Sequence, residues 1–466
     1  MKYNGLWFKF FEVMKFIISK NALAVLALLV VHLMCQGCKA QPFIVSALWT
    51  TPDRIPILCV ATNNGLLAFA EQRATASDAG YINATLRRSQ DNGTNWTPLQ
   101  VVGGDGSNTF SCGAVVVDHT NGTVFLFVGR TLAGDTAYTI SAGTSVDTSR
   151  IYLYTSTDSG TNWSGPTDLS SSVKKAGWSY CDPGPATGIQ LATGRLIVPW
   201  YYTVNMTNVY PSVMYSDDHG VTWTSSFGAT NNLPGYNECS VVALTNGNLM
   251  MIARNGTGIG TTMGISISAD SGVTWGAITN SATLNDSGCE ASFIRYTAPP
   301  GYGKSRLLFA NPNSAVPNNR ANGTVRVSYD EGKTWAVSNV YDPGLFGYSA
   351  LAILPNGNWA LLAENGSSYY YDQISFLSDT LSNLTSGADM LDPITNAAPK
   401  LSISIVNTNL VFYWPTSSIT YTLQESLKPG PINWVNATGV LSITSGRNQF
   451  LLPYSNLNYF FRLQGL

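Results

Sequence analysis

STDSGTNW, residues 156–163, is the stretch on which the fold turns. Its Ser and Asp carry short side chains that bond nearby backbone amides, and its Gly supplies the positive φ of a tight hairpin turn. Its Trp has a large apolar surface to tuck beneath that turn. The pattern Ser-x-Asp-x-Gly-x-x-Trp returns as SQDNGTNW (89–96), SDDHGVTW (216–223), SADSGVTW (268–275) and SYDEGKTW (328–335). Successive copies stand roughly 50–70 residues apart, a spacing that suits one four-stranded blade per repeat. Strand-like runs such as Ile151–Tyr154 and Val325–Ser328 flank the copies, and helical periodicity is nearly absent after residue 41.

Outward from the repeats, residues 348–378 lack a copy but contain the strand-like pieces Ala350–Leu354, Trp359–Ala363 and Ser368–Phe376. They read as a sixth blade, completed by a strand near residues 43–48. Joining first and last blades would protect the sheet edges. The expected fold is therefore all-β: a six-bladed β-propeller over 41–396, then a small β-sandwich module of immunoglobulin or fibronectin type over 397–466. In the second unit, 401–414 alternates apolar and polar residues, and 421–424, 449–452 and 459–463 read as further strands. A packing or spacer role is the default for it, with glycan binding as the other reading.

Composition narrows the function. Charged residues make up 11% of the chain and the net charge is −2, against about 25% charged in an average soluble protein. No basic tract offers a nucleic-acid footprint. Three histidines and seven scattered cysteines leave little material for a transition-metal site, and nothing calls for a cofactor. Cys59, Cys112, Cys181, Cys239 and Cys289 match no metal or redox spacing and read as small buried hydrophobes with at most one or two disulfides. Residues 1–40 read as an export signal, with Lys15 and Lys20 before the apolar run 22–34 and a cleavage site before Gln41. Met14 begins a signal of more usual length. The run falls short of the ~20 residues of a membrane span, so no transmembrane span is expected in the mature chain. Cleavage would place it in the medium, the periplasm or at the cell surface; lipid anchoring at Cys38 is the rival.

Between the repeats lie the residues that carry chemistry. DRIP (53–56) and LLAFAEQRATASDAG (66–80) contain Arg54, Arg73 and Asp78. GYNECSVVALTNGNLMMIARN (235–255) contains Glu238 and Arg254. NNRANGTVRVSYDEGKTW (318–335), FGYSAL (346–351) and WALLAEN (359–365) contain Arg320, Tyr348 and Glu364. With these stretches the chain resembles the bacterial exo-α-sialidase family with Asp-box repeats over roughly residues 43–378. The resemblance implies hydrolysis of terminal sialic acids from glycoproteins, gangliosides and oligosaccharides. It implies Arg54, Arg254 and Arg320 as a carboxylate clamp, Tyr348 as nucleophile, Glu238 as its base and Asp78 as acid/base. Glu364 would orient Arg54 from behind, and Arg73 would stand near the carboxylate or the acid.

The residue types suit that chemistry. Planar guanidiniums make paired, charge-assisted bonds to a carboxylate. An anomeric carbon bearing a carboxylate repels an anionic nucleophile, and a neutral tyrosine avoids the repulsion if a base takes its proton; sialidases with a tyrosine nucleophile are a recognised exception to the two-carboxylate rule. Each residue also has an ordinary explanation: a strand arginine as a surface charge, Tyr348 as core, Asp78 as a turn former, Arg73 in a salt bridge with Glu71. The segment CDPGPATGIQLATGRLIVPW (181–200) resembles a substrate-lining stretch, with turn chemistry as its other reading. Rival functions are a catalytically inactive glycan-binding propeller, a trans-sialidase and a hydrolase of related nonulosonic acids.

Overall fold

The computed structural model describes residues 43–204, 208–226, 235–256 and 262–393, together with 401–406, 409–415, 421–427, 434–444, 447–453 and 459–465. The export signal expected over residues 1–40 lies outside the described residues. The chain divides into two compact units: 1–296 with 305–391, and 297–304 with 392–466.

The first unit is built of antiparallel strand groups in chain order. One sheet runs from Arg54–Val60 through Leu66–Arg73, Ile82–Ser89, Thr109–Val117, Val124–Thr131 and Arg150–Ser156 to Ser164–Asp168. In its ladder the two halves are joined through the parallel bridge Ile82–Thr109. A second sheet carries Leu196–Thr203 and Val209–Ser216, and a third runs from Tyr236–Ala243 to Thr279–Asn285. The fourth runs from Ser292–Thr297 to Gln373–Asp379 and ends on Phe43–Thr50, which pairs antiparallel with Gln373–Asp379. Its 17-residue strand Val337–Ile353 pairs with Ala321–Ser328 through its first half and with Trp359–Gly366 through its second.

Alternating side chains of neighbouring groups make the core. One buried cluster joins Ile57–Leu86 to Phe110–Val128, and the next joins Ala114–Leu153 to Leu196–Trp223. Clusters continue through Ile197 to Ile278 and Val242 to Phe309, and then from Tyr296 to Trp359 and Leu361. The last sets Leu58, Leu66 and Ala68 against Ala350, Leu362 and Phe376. The contacts thus run in a cycle, and the fold is propeller-type.

The repeated turns do what their residue types demand. In the copy 156–163, Ser156 Oγ accepts the Gly160 amide at 2.9 Å, Asp158 Oδ1 accepts the Asn162 amide at 2.8 Å, and Trp163 Nε1 donates to the Gly160 carbonyl at 3.1 Å. The Trp ring reaches further than its own turn. Trp163 packs edge-on against Phe69, Trp96 against Phe376, and Trp223 against Phe125 and Phe127. Each of these turns therefore seals the join to the preceding strand group.

One strand begins later than its sequence suggests. Residues 367–372 form a turn in which Asp372 accepts the amides of Ser367, Ser368 and Tyr369 at 2.9, 2.7 and 3.2 Å. Side-chain acceptance of backbone amides competes with the ladder, and the strand starts only at Gln373. Among the described residues, Cys59, Cys112, Cys181, Cys239 and Cys289 are buried free thiols.

The second unit holds a four-stranded sheet (Ser402–Val406, Asn409–Pro415, Arg447–Pro453, Val440–Thr444) and a three-stranded one (Val435–Asn436, Tyr421–Ser426, Phe460–Gly465). Phe412, Trp414 and Phe450 of the first pack with Leu423 and Phe461 of the second. Among the described residues no helix is long and apolar enough to cross a membrane.

Candidate active site

Glu238 comes from Tyr236–Ala243, Arg254 from Leu249–Asn255 and Tyr348 from Val337–Ile353. The Tyr348 hydroxyl donates a short hydrogen bond to Glu238 Oε1. Arg254 Nη1 donates to Glu238 Oε2 at 2.5 Å and to Tyr348 Oη at 2.8 Å. Tyr348 is 6% exposed. Burial and the Glu238 charge push its phenol well above the ordinary range, although Arg254 and Arg320 pull the other way. The hydroxyl is thus a neutral donor resting on a carboxylate.

Arg54 reaches the same tyrosine from the other end of the first unit's sequence. Its Nε and Nη2 donate to Glu364 Oε1 and Oε2 at 3.1 and 3.2 Å. The same carboxylate accepts the backbone amides of Ile55 at 3.0 Å and Tyr348 at 3.2 Å. Gly347 makes this possible, because a Cβ there would collide with Glu364. Ile55 holds φ at 62°, a left-handed conformation that costs a β-branched residue roughly 1–3 kcal/mol. The strand bulges here, with its register shifting between Arg54 and Ile57. Burial opposes the Arg54 charge, but Glu364, Tyr348 and Asp78 outweigh it, so the guanidinium stays charged.

Arg320 Nη2 donates to the Gly288 carbonyl at 2.7 Å. Its guanidinium lies 5.2 Å from the Tyr348 ring centroid and 4.5 Å from that of Tyr370; Arg54 lies 5.5 Å from both and 5.2 Å from Tyr371. Among the described residues, Arg320 Nη1 and Arg254 Nε are buried without a hydrogen-bond partner.

Arg73 makes both contacts its sequence context allows. Nε donates to Glu71 Oε2 at 2.7 Å and Nη1 to Asp78 Oδ1 at 2.8 Å. Glu71 is buried, and its other oxygen accepts the Cys112 amide at 3.0 Å. Asp78 stands in a loop with its side chain 81% exposed, and Arg54 Nη1 approaches it to 3.5 Å. The protein around Asp78 opposes its charge, yet Arg73 and Arg54 prevail and hold the carboxyl below its usual range.

Arg73, Asp78, Glu238 and Tyr348 line one pocket of about 420 Å3, with Glu71, Tyr180 and Asp182 among the other walls. Arg54 and Arg254 join it through their bonds to Asp78, Glu238 and Tyr348. All eight side chains singled out in the sequence are thereby linked in one cluster. Sequence reasoning passed over four others. Tyr370 and Tyr371 cover arginine faces but sit in a run of polar and aromatic residues without a pattern. Glu290 lies behind Tyr348 and follows Cys289 with no motif. Asp182 lies in the stretch 181–200 that resembles a substrate-lining one, among turn-forming Gly and Pro that give it no distinct signal; Tyr180 Oη donates to its Oδ2 at 2.8 Å. Burial raises the Asp182 carboxyl to about 8 despite that bond.

A cyclic all-β fold with a tyrosine, a glutamate and converging arginines in one pocket defines a propeller-type protein with an arginine-rich site. Residues 64–361 match the BNR repeat-like domain, and the chain belongs to the sialidase family that carries these repeats. A sialidase of Micromonospora viridifaciens is 34% identical over 334 residues, 68% of this chain and 50% of that protein. A sialidase of Bacteroides fragilis is 29% identical over 348 residues, 70% of this chain and 62% of its own. The chain thus spans about half to three-fifths of these relatives. Among solved structures, the Hadza microbial sialidase Hz136 superposes with a TM-score of 0.65 at 26% identity, covering 72% of this chain and 66% of that one. The leech intramolecular trans-sialidase shares the fold, with a TM-score of 0.62 at 20% identity over 75% of this chain and 72% of its own.

Proposed function

We propose that the chain is an exo-α-sialidase that releases terminal sialic acids from glycoconjugates with retention of configuration. The observation that carries this reading is the Tyr348 hydroxyl bonded to Glu238 and Arg254, with Arg54 and Arg320 against the tyrosine ring. Unsatisfied guanidinium nitrogens on Arg254 and Arg320 suit an anionic group, each charge-assisted bond contributing about 1.5–3 kcal/mol.

In the first step Tyr348 Oη attacks the anomeric carbon while Glu238 takes its proton. The bond to the glycosidic oxygen breaks, and Asp78 delivers a proton to the departing alcohol. In the second step the Asp78 carboxylate takes a proton from water, and the hydroxide attacks the same carbon. The tyrosyl bond breaks and Glu238 returns the proton to the phenolate. Two inversions give retention. Arg54, Arg254 and Arg320 hold the carboxylate, Glu364 orients Arg54, and Arg73 holds Asp78.

The architecture proposed with this function is six blades, the last completed by Phe43–Thr50, followed by a β-sandwich over 397–466. The chain is exported by the signal over 1–40, with lipid anchoring at Cys38 as the variant. The test is hydrolysis of 4-methylumbelliferyl α-N-acetylneuraminic acid, with NMR of the first-formed anomer. Turnover by the parent that falls at least 10³-fold in Tyr348→Phe is expected. A well-folded parent without turnover from pH 4 to 8 would overturn the reading.

A further inference from the structure

Two successive backbone amides beneath the phenol are held by two different carboxyl groups, and only one of them belongs to the arginine network. The register between Val337–Ile353 and Trp359–Gly366 shifts between Phe346 and Ser349, which takes Gly347 and Tyr348 out of the regular ladder. The Tyr348 amide goes to Glu364 at 3.2 Å. The Ser349 amide goes to Glu290 Oε2 at 3.1 Å, and Glu290 reaches it from just before the strand Ser292–Thr297 at the other edge of the same sheet. Glu364 thus holds the amide inside the bulge, and Glu290 holds the amide of the residue at which the ladder resumes opposite Ala363. A buried amide left without an acceptor is costly, so the two carboxyls together hold the bulge in shape.

We propose that Glu290 is a positioning residue for Tyr348: by accepting the Ser349 amide it fixes the bulged backbone from which the phenol meets Glu238. The proposal rests on the reading of Tyr348 as nucleophile. Glu290 is 3% exposed, and no ion pair involves it among the described residues. Burial, reinforced by Glu238 and Glu364 and only partly offset by the Ser349 amide and the Arg254 charge, pushes its carboxyl above the ordinary range. What the Ser349 amide meets is a carboxyl oxygen at 3.1 Å. An amide side chain of the same length serves equally.

The fold supplies its own control. Two residues along, the Leu351 amide donates to Ser292 Oγ at 2.8 Å, the same staple between the same two strands but one step removed from the tyrosine. The experiment uses the full chain as parent, Glu290→Gln, Glu290→Ala and Ser292→Ala. It measures kcat and KM on the 4-methylumbelliferyl substrate across pH, Tm, and crystal structures. Glu290→Gln should keep kcat within threefold, with an unshifted pH profile. Glu290→Ala should lower kcat at least tenfold with KM within twofold. Ser292→Ala should lower Tm yet keep kcat within threefold.

Equal losses in Glu290→Ala and Ser292→Ala would overturn the proposal, as would an unchanged Glu290→Ala. If Glu290→Ala does not fold, a pH profile displaced in Glu290→Gln would overturn it by showing a charged role. If the parent itself has no turnover, the nucleophile reading falls and the crystal structures decide. Tyr348 Oη displaced from Glu238 in Glu290→Ala, but not in Ser292→Ala, would uphold the positioning role; an unmoved phenol would end it.

Discussion

Asp78 shows how a single residue is set by its neighbours. Arg73 and Arg54 favour its ionised form, so without substrate it is a carboxylate at neutral pH, whereas the first step of the proposed mechanism needs the acid. A substrate carboxylate that engages Arg54 removes part of that bias and brings a competing negative charge, both of which favour the proton. On natural glycans kcat/KM should therefore climb as pH falls toward the acidic range, where free Asp78 gains its proton. An activated leaving group needs little protonation and should show a flatter profile. General acid catalysis is worth about 10²–10⁴-fold. Asp78→Ala should lose that much on sialyllactose and at least tenfold less on the 4-methylumbelliferyl substrate, as parallel pH–rate profiles would show. Equal losses on both substrates would remove Asp78 from the role of acid. Asp182 makes a separate prediction. Burial lifts its folded carboxyl to about 8, against about 3.9 unfolded, so the folded state binds the extra proton between those values. Stability therefore falls as pH rises through that window, by up to about 1.4 kcal/mol per pH unit. Asp182→Asn removes the slope and should gain stability over the parent from pH 4 to 8, read by urea unfolding. A constant difference across that range would contradict the buried proton.

At the level of the element, the repeated turn is also a packing device between strand groups. Gly220 has φ 86° and Gly247 has φ 88°. A Cβ at Gly220 would collide with the Phe125 ring, whereas one at Gly247 would meet nothing within 4 Å. Gly247→Ala should then cost only the left-handed strain of about 1–2 kcal/mol. Gly220→Ala should cost about 1–3 kcal/mol more for overpacking, measured as the difference in unfolding free energy. Equal costs would mean that the turn does not seal the join. This contrast marks what the sequence discloses at this scale. Ser, Asp and Gly act within four residues of each other, so their bonds were legible in SQDNGTNW and its copies. The partner of each Trp is set by which strand group lies behind it, a fact of the ring that local spacing does not encode. Residues 368–372 misled for a related reason. Ser-Tyr-Tyr-Tyr at 368–371 has strand-forming composition, but the Asp372 carboxylate takes the amides of Ser368 and Tyr369, which the strand would have used, and that of Ser367 before them. The arginines, Glu238 and Tyr348 were legible because they resemble a family motif. Glu290 and Tyr370 were not, since a lone buried acid and an aromatic in a polar run acquire meaning only from what the ring brings beside them.

For the whole molecule the question is what closes the cycle where the chain's early and late strands meet. Backbone pairing does part of it, through Phe43–Thr50 on Gln373–Asp379, and apolar packing does part, through Leu58, Leu66 and Ala68 against Ala350, Leu362 and Phe376. The polar part converges on Glu364, fully buried, which accepts both nitrogens of Arg54 and the amides of Ile55 and Tyr348. One carboxylate thus holds the first strand group to the last, orients an arginine of the site and fixes the tyrosine backbone. Removing one partner of a buried ion pair typically costs about 3–5 kcal/mol, because the other charge is left uncompensated. Glu364→Ala should therefore lose stability in that range. Glu364→Gln should lose less, because its amide oxygen still accepts while its NH2 group faces donors. Both should lower kcat/KM together with stability, since Arg54 loses its orientation in each. Arg54→Met separates the two effects, because it removes the clamp charge while Glu364 keeps the two backbone amides. It should depress kcat/KM strongly, yet leave Ile55 and Tyr348 in place in a crystal structure. If Glu364→Ala unfolds at the same urea concentration as the parent, the cycle is held by strand pairing and apolar packing alone, and Glu364 serves only the site.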